Sequence, residues 1–166
     1  MDISHKRDIT TEDIMHFFKR GDFNNNFTLG VTEFCPYDGS KKRIDAFYFN
    51  RWNREAIGYE VKISRQDFLH DKKWEGYLEY CTKFYFAAPK GVIKPEELPE
   101  SIGLIEFEVV EKYRFNKEEI PEDEKTYEIK WDFTRKCRKL HNISDENYVR
   151  LLEGLVIKLI YNKNLL

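Results

Sequence analysis

The sequence has few cysteines, no excess of either charge sign and no long apolar run, and each absence excludes a class of protein. Its three cysteines, Cys35, Cys81 and Cys137, are isolated, which argues against a disulfide scaffold or a zinc ribbon. Lys and Arg number 28 against 30 Asp and Glu, a formal net charge of −2. That balance argues against a purely electrostatic DNA binder but allows a local basic patch.

Membrane insertion, secretion and ATP hydrolysis are also disfavoured. The most apolar stretch, Leu151 to Tyr161, is too short and too charged to span a bilayer. The first residues, Met1 to Arg7, contain no apolar segment of the kind found in secretory signals. No glycine-rich phosphate loop is present, and the four histidines lack metal-ligand spacing. The isolated cysteines, together with the lack of a membrane span and of a visible secretory signal, lead us to expect a cytoplasmic protein.

The 166 residues fit one domain with a substantial core, to which 13 Phe, 10 Tyr and 3 Trp can contribute. From residue 43 the order is β-β-α-β-α-β, which predicts an α/β fold with some parallel pairing. Periodicity and turn residues predict these elements: a helix at Thr11–Lys19, a strand within Phe27–Phe34, a hairpin of Arg43–Asn50 and Glu55–Ile63, helical periodicity over Arg65–Cys81, strands at Lys83–Ala88 and Ile102–Val109, and a short helix near Pro95.

The last third of the chain has a different character. Residues 117–125 are acidic and predicted to form a solvated loop, and a mixed segment with a basic cluster at Arg135–Lys139 comes after it. A final helix is predicted from Ser144, which can cap it, with Leu151 and Leu155 on its apolar face. We therefore divide the chain into a core of about residues 11–110 and a C-terminal helical extension of about 111–166.

Residues that can carry chemistry are concentrated in the predicted hairpin. On a strand, Glu60 and Lys62 point to the same face, and Asp45 lies on the preceding strand. Two carboxylates plus a substrate phosphate are a sufficient site for Mg²⁺, and the carbonyl of Val61 is a further oxygen ligand. Alternating acid and lysine is also ordinary on a half-exposed strand, so this pair alone is not specific.

A longer pattern is more specific. The runs Glu60-Val61-Lys62-Ile63-Ser64-Arg65-Gln66-Asp67-Phe68 and Asp71-Lys72-Lys73-Trp74-Glu75-Gly76-Tyr77 come after the Lys42-Arg43-Ile44-Asp45 segment. Together, over about residues 33–106, they resemble the MmcB-like branch of the PD-(D/E)xK nuclease superfamily. Residue 44 is Ile where the motif has Pro, which removes no ligand.

The resemblance implies a restriction-endonuclease-like core, a mixed central β-sheet flanked by helices. It also implies Mg²⁺- or Mn²⁺-dependent hydrolysis of DNA phosphodiester bonds, with a role in DNA repair. Asp45, Glu60 and Lys62 then match the catalytic triad, and Glu33 matches an additional upstream acid. Asp45, Glu60 and Val61 are the expected metal ligands.

DNA contacts are expected from basic and aromatic residues near this centre: Arg65, Lys72, Lys73 and Tyr80. The basic cluster at Arg135–Lys139 is a further candidate for phosphate contacts. Lys72 and Lys73 fit a solvated helix face equally well, and Trp74 and Tyr77 fit a core better than base stacking.

Two other classes of function stay open. A nuclease fold without activity can bind DNA or a protein partner, since fold alone does not fix activity. An assembly role has only the C-terminal extension in its favour. Many nucleases of this type cut as dimers, so a homodimer or a protein partner is a further expectation.

Overall fold

The computed structural model describes residues 2–3, 6–20, 28–37, 39, 42–112 and 125–161 of the chain. Within them lie three α-helices, two short 3-10 helices and seven strands. The α-helices are α1 (Thr11–Lys19), α2 (Arg65–His70) and α3 (Asp145–Tyr161), and the 3-10 helices are Trp74–Tyr80 and Pro95–Glu97. The strands are β1 (Asp2–Ile3), β2 (Thr28–Phe34), β3 (Ile44–Asn50), β4 (Glu55–Val61), β5 (Lys83–Pro89), β6 (Gly103–Glu111) and β7 (Tyr127–Arg135).

The strands of the described residues form one sheet in the order β1-β7-β6-β5-β4-β3-β2. Strand β4 is antiparallel to β3 and parallel to β5, and β5 is parallel to β6. Strand β6 is antiparallel to β7. The mixed sheet with flanking helices and a C-terminal helix confirms the α/β fold of restriction-endonuclease-like type expected for this sequence.

One face of the sheet packs against α1. Thr10 and Asp13 form a reciprocal capping box that starts this helix at Thr11, as predicted. Its apolar side chains Ile14 and Phe18 are buried against a cluster that includes Tyr59 and Ile105. This face of the sheet is therefore closed by one short amphipathic helix.

The opposite face is covered by the 3-10 helix Trp74–Tyr80 and by α3, over a core rich in phenylalanine. Trp74 stacks on Phe84 and meets Phe86 edge-on, so Trp74 is a core residue, the interpretation that the sequence favours. Gly58 permits this packing, because a Cβ there would lie 2.7 Å from the Cys81 sulfur and 2.9 Å from the Phe84 ring.

Helical structure is not continuous over Arg65–Cys81, which corrects one expectation. Helix α2 ends at His70, and Asp71 has extended backbone angles (φ −80°, ψ 118°). The Asp71 carboxylate accepts a hydrogen bond from the amide of Lys73 at 2.7 Å. Such a local side-chain bond competes with helix continuation, so the chain turns before the 3-10 helix begins.

The C-terminal extension contains the expected helix and also a strand that is not predicted from the sequence. Tyr127–Arg135, expected as part of a mixed segment, is strand β7, which pairs with β6 and with β1. Helix α3 runs from Asp145 to Tyr161 and buries Leu151 and Leu155, close to the predicted helix. The extension thus contributes a strand to the same sheet as the core.

Most of the predicted acidic loop, residues 117–124, lies outside the described residues. In the part of the chain that is described, no helix combines the length and the apolarity needed to cross a bilayer.

Candidate functional site

The hairpin of β3 and β4 places two acids side by side. Ala46 is paired with Tyr59, so Asp45 and Glu60 take the next opposed position in the antiparallel register. Oδ2 of Asp45 accepts a hydrogen bond from the backbone amide of Val61 at 2.8 Å, which fixes the Asp45 carboxylate at the end of β4. The sequence prediction that these two acids lie together is thus matched by their placement.

Lys62 comes directly after the last residue of β4 and is only 5% exposed. Its backbone amide donates to the carbonyl of Ala87 at 3.0 Å, which extends the pairing with β5 by one residue. Its ammonium nitrogen lies 2.9 Å from Oε1 of Glu60 and 2.7 Å from Oδ2 of Asp71. Lys62 therefore forms a buried ion-pair cluster with acids from two different elements.

Glu60 is 6% exposed and is incompletely satisfied. Its Oε1 accepts from Lys62, but among the described residues Oε2 is buried and has no hydrogen-bond partner. Burial, together with the smaller effect of repulsion from Asp45, raises the pKa of Glu60 to about 8 despite Lys62. A buried carboxylate oxygen without a partner is destabilising, so a cation bound at this position would stabilise the site.

Burial also raises the pKa of Asp45, against the opposing effects of the Val61 amide and Lys62. Burial alone would lower the pKa of Lys62, but its hydrogen bonds to Asp71 and Glu60 outweigh burial and raise it. Lys62 consequently stays an ammonium at neutral pH. Two acids with raised pKa values thus lie next to a lysine that stays charged, a pattern that is common in functional sites.

These side chains lie in an open cavity of about 860 Å³. Acids and bases are mixed in its lining, which contains Asp45, Glu60, Asp67 and Asp71 together with Arg43, Lys62, His70, Lys72 and Lys73, and also Cys35 and Tyr77. The mixture of charges suits a ligand that carries negative charge and brings or shares a cation.

The residue types fit a hard divalent cation. Within the residues that the structure describes, no group of three or more His, Cys, Asp or Glu side chains is arranged to hold a metal. Mg²⁺, however, is commonly held by one or two carboxylates plus substrate phosphate and water. Asp45 and the unsatisfied Oε2 of Glu60 meet that smaller requirement.

Of the other predicted site residues, Lys72 and Lys73 line the cavity and are exposed, whereas Glu33, Arg65 and Tyr80 do not line it. Glu33 lies outside the cavity lining, with a backbone φ of +51° and a carboxylate 3.7 Å from the Arg43 guanidinium. Glu33 is therefore paired with a residue of the cavity lining and is not itself part of that lining.

Arg65 and Tyr80, predicted as DNA contacts, are not among the residues that line the cavity. The Arg65 guanidinium forms a two-point ion pair with Glu97 and also contacts the carbonyl of Val92, away from the cavity. Tyr80 is 1% exposed and belongs to the phenylalanine-rich core, with Lys42 over its ring. Its position in the 3-10 helix turns the ring inward, so the predicted contact of Tyr80 with DNA is wrong.

Sequence reasoning gives too little weight to Asp71. The sequence indicates this acid only as part of the Asp71-Lys72-Lys73 run, yet its carboxylate binds Lys62 directly. The separation of nine residues from Lys62 gives no periodic signal, because the contact depends on how α2 returns over the end of β4.

Comparison with known proteins identifies the family of the chain. The model of a family described as DNA repair protein MmcB-like matches residues 30–122, more than half of the chain. The chain belongs to this MmcB-like family. The match includes β3, β4, α2 and every residue that lines the cavity.

A solved structure supports the fold of this MmcB-like chain. It is that of a protein of unknown function from Silicibacter pomeroyi, with 23% sequence identity and a TM-score of 0.53. The similarity covers 80% of this chain and 75% of that one. No curated protein matches the sequence.

Proposed function

We propose that this protein is a metal-dependent deoxyribonuclease that hydrolyses DNA phosphodiester bonds in DNA repair or processing. One observation carries the proposal: Asp45 and Glu60 lie side by side in an open cavity, with a buried ammonium next to them and one Glu60 oxygen that has no hydrogen-bond partner among the described residues. The family description, DNA repair protein MmcB-like, supports DNA as the substrate.

The residues have distinct roles in this proposal. Asp45, Glu60 and the carbonyl of Val61 would hold Mg²⁺ or Mn²⁺, which when bound lowers the pKa of its water and neutralises charge on the phosphate. Lys62 is charged and so cannot accept the proton of the attacking water. It instead orients that water, or stabilises the phosphate, by donating hydrogen bonds.

The exposed Lys72 and Lys73 are suited to contact the DNA backbone, because they line the cavity next to the acids. Their ammonium groups neutralise phosphates and make binding salt-dependent. Glu33 has an outer role, since its carboxylate pairs with Arg43 of the lining.

The test is a cleavage assay on supercoiled plasmid and on single-stranded DNA, with Mg²⁺ or Mn²⁺. We expect cutting that EDTA abolishes and that falls to a small residual rate in Lys62→Ala, with the fold of the variant checked by circular dichroism. The preferred DNA then defines the substrate class.

Cutting by a folded Lys62→Ala variant at the wild-type rate would show that another centre, or a contaminant, is responsible. If the wild-type protein does not cut, calorimetry with Mn²⁺ tests the metal site by itself. A folded protein that neither cuts DNA nor binds Mn²⁺ contradicts the proposal and favours a module that only binds DNA or protein.

A further inference from the structure

Lys62 is held by two acids that reach it from different parts of the fold. Glu60 lies two residues earlier on the same chain segment, whereas Asp71 comes from the turn after α2. Asp67, one helical turn before Asp71, is 3.9 Å from the same nitrogen, too far for a hydrogen bond. The two acids on α2 and its end thus differ sharply in how they contact the lysine.

The Asp71 carboxylate is fixed on both oxygens. Oδ1 accepts from the amide of Lys73 at 2.7 Å, and Oδ2 lies 2.7 Å from the Lys62 nitrogen. The backbone amide of Asp71 donates to the carbonyl of Asp67, which ties the turn to the end of α2. The Asp71 side chain is 11% exposed, against 47% for Asp67. Asp71 is therefore a preorganised partner for the lysine, and Asp67 is not.

The two partners of Lys62, Glu60 and Asp71, also have different roles in the proposed reaction. Glu60 is assigned to the metal, so its attraction for the lysine is shared with a second cation. Asp71 has no such assignment, and its remaining oxygen is already bonded to the Lys73 amide. Asp71 is thus the partner that can keep the ammonium in place while Glu60 binds the metal.

We propose that Asp71 is the positioning residue for Lys62, holding its ammonium beside Glu60 so that a remaining N–H can meet the phosphate or its attacking water. This assignment of a role to Asp71 rests on the proposed nuclease function. An ammonium has three donors; Glu60 accepts from one of them, and the Asp71 carboxylate lies 2.7 Å from the same nitrogen as an ion pair. A donor that neither acid engages is the one that a phosphodiester substrate would engage.

A first experiment compares cleavage by the Asp71→Asn and Asp67→Asn variants. We expect Asp71→Asn to lower kcat about 10- to 100-fold, the usual effect of removing a residue that orients another. KM should change little, because Asp71 does not contact the DNA in this assignment, and Asp67→Asn should change either constant much less. Asp71→Glu should recover part of the lost kcat. Equal activity of the two Asn variants would overturn the proposal.

A double variant separates positioning from direct participation. If Asp71 acts only through Lys62, then Asp71→Asn combined with Lys62→Ala cuts no more slowly than Lys62→Ala alone, measured in single-turnover reactions with enzyme in excess. A further loss in the double variant would show that Asp71 contacts the metal or the substrate itself, and would overturn the positioning role.

A second readout needs no activity. In metal-free protein labelled with ¹⁵N-lysine, the buried Lys62 ammonium should give an N–H resonance that exchanges slowly with water, identified by its absence in Lys62→Ala. The resonance should persist in Asp67→Asn and be lost in Asp71→Asn. If it persists in Asp71→Asn, or is missing from the wild type, Asp71 does not hold the lysine. Loss in Asp71→Asn from a protein that cuts no DNA would uphold the contact and refute the nuclease.

Discussion

Two acids of this protein, Asp13 and Glu60, are each 6% exposed, yet their surroundings are opposite. Asp13 lies on the α1 face of the sheet. Both of its oxygens accept hydrogen bonds from Arg7, and one also accepts from Thr10. The hydrogen bond from Arg7 is the main reason that its pKa lies well below the usual range.

Glu60, on the other face, has one oxygen on Lys62 and one without a partner among the described residues, and its pKa is raised to about 8. Equal exposure thus conceals different surroundings, since Asp13 is paired with a partly exposed arginine and Glu60 lines the cavity. The comparison teaches that Asp13, which stabilises the fold, has both oxygens engaged, whereas Glu60 has one oxygen that no described residue engages and that a bound cation could use.

The largest expected difference comes from the change Glu60→Gln. Removing a carboxylate that helps to bind the charge-stabilising metal should slow cleavage on the order of 10²–10³-fold. Metal-free stability should stay equal or increase, because a buried and unsatisfied acid is lost. Plasmid cleavage and urea denaturation of the same preparation measure both. A variant that is clearly less stable than wild type would make Glu60 a structural acid like Asp13.

Metal binding should distinguish the two acids next. At a Mn²⁺ concentration about 100 times the dissociation constant, the wild type should gain about 2.7 kcal/mol of unfolding free energy. The variant Asp13→Asn should gain the same amount, and Glu60→Gln should gain little. Thermal unfolding with and without Mn²⁺ gives these values. Equal stabilisation of Glu60→Gln would place the metal elsewhere.

The variant Asp13→Asn tests the other half of the comparison. It breaks the capping box and removes the charge that pairs with Arg7, so the unfolding free energy should fall by about 1–2 kcal/mol. Cleavage at a temperature where the variant is folded should match wild type, because α1 lies on the face away from the cavity. Reduced cleavage by fully folded protein would mean that the two faces of the sheet are coupled.

The comparison also predicts how metal-free stability depends on pH. The pKa of Glu60 is higher in the folded state than its ordinary value of 4.5, so the native protein holds the extra proton and stability falls as pH rises from about 4.5 to about 8. The pKa of Asp13 is lower than its ordinary 3.8, so its contribution is complete above that pH and is lost as pH falls below it.

Urea titrations across pH should therefore show stability declining between about pH 4.5 and about pH 8, and Glu60→Gln should remove this decline. The loss of stability below pH 3.8 should be reduced in Asp13→Asn. A wild-type profile without the decline between pH 4.5 and 8 would mean that Glu60 is ionised in the folded protein without a metal.

Sequence patterns are sufficient where a single element decides the outcome. The bounds of α1 are set by its capping residues, and the opposition of Asp45 and Glu60 is set by hairpin register. The patterns fail where tertiary packing decides. Asp71 reaches Lys62 because α2 ends at a turn that the Asp71 side chain caps. Tyr80 is buried because the second helical segment is a 3-10 helix, in which the Tyr80 ring faces the core.

Strand β7 escapes prediction for a different reason. Its alternation of Tyr127, Ile129, Trp131 and Phe133 is the period-2 signal of a half-buried strand, but charged residues lie between them and a basic cluster adjoins them. The strand signal is therefore present in the sequence, but the basic cluster at Arg135–Lys139 favours an interpretation of this segment as a phosphate contact.

Arg135, at the end of β7, is one of those expected contacts. Its guanidinium instead donates to the backbone carbonyls of Ile102, Pro95 and Pro99 at 2.6–2.9 Å. Those carbonyls belong to the connection between β5 and β6, most of which has no ladder partner of its own. The hydrogen bonds of this one arginine hold the connection in place and so protect it from proteases. Arg135→Ala should therefore make residues 94–102 susceptible to proteolytic cleavage while the sheet itself stays intact.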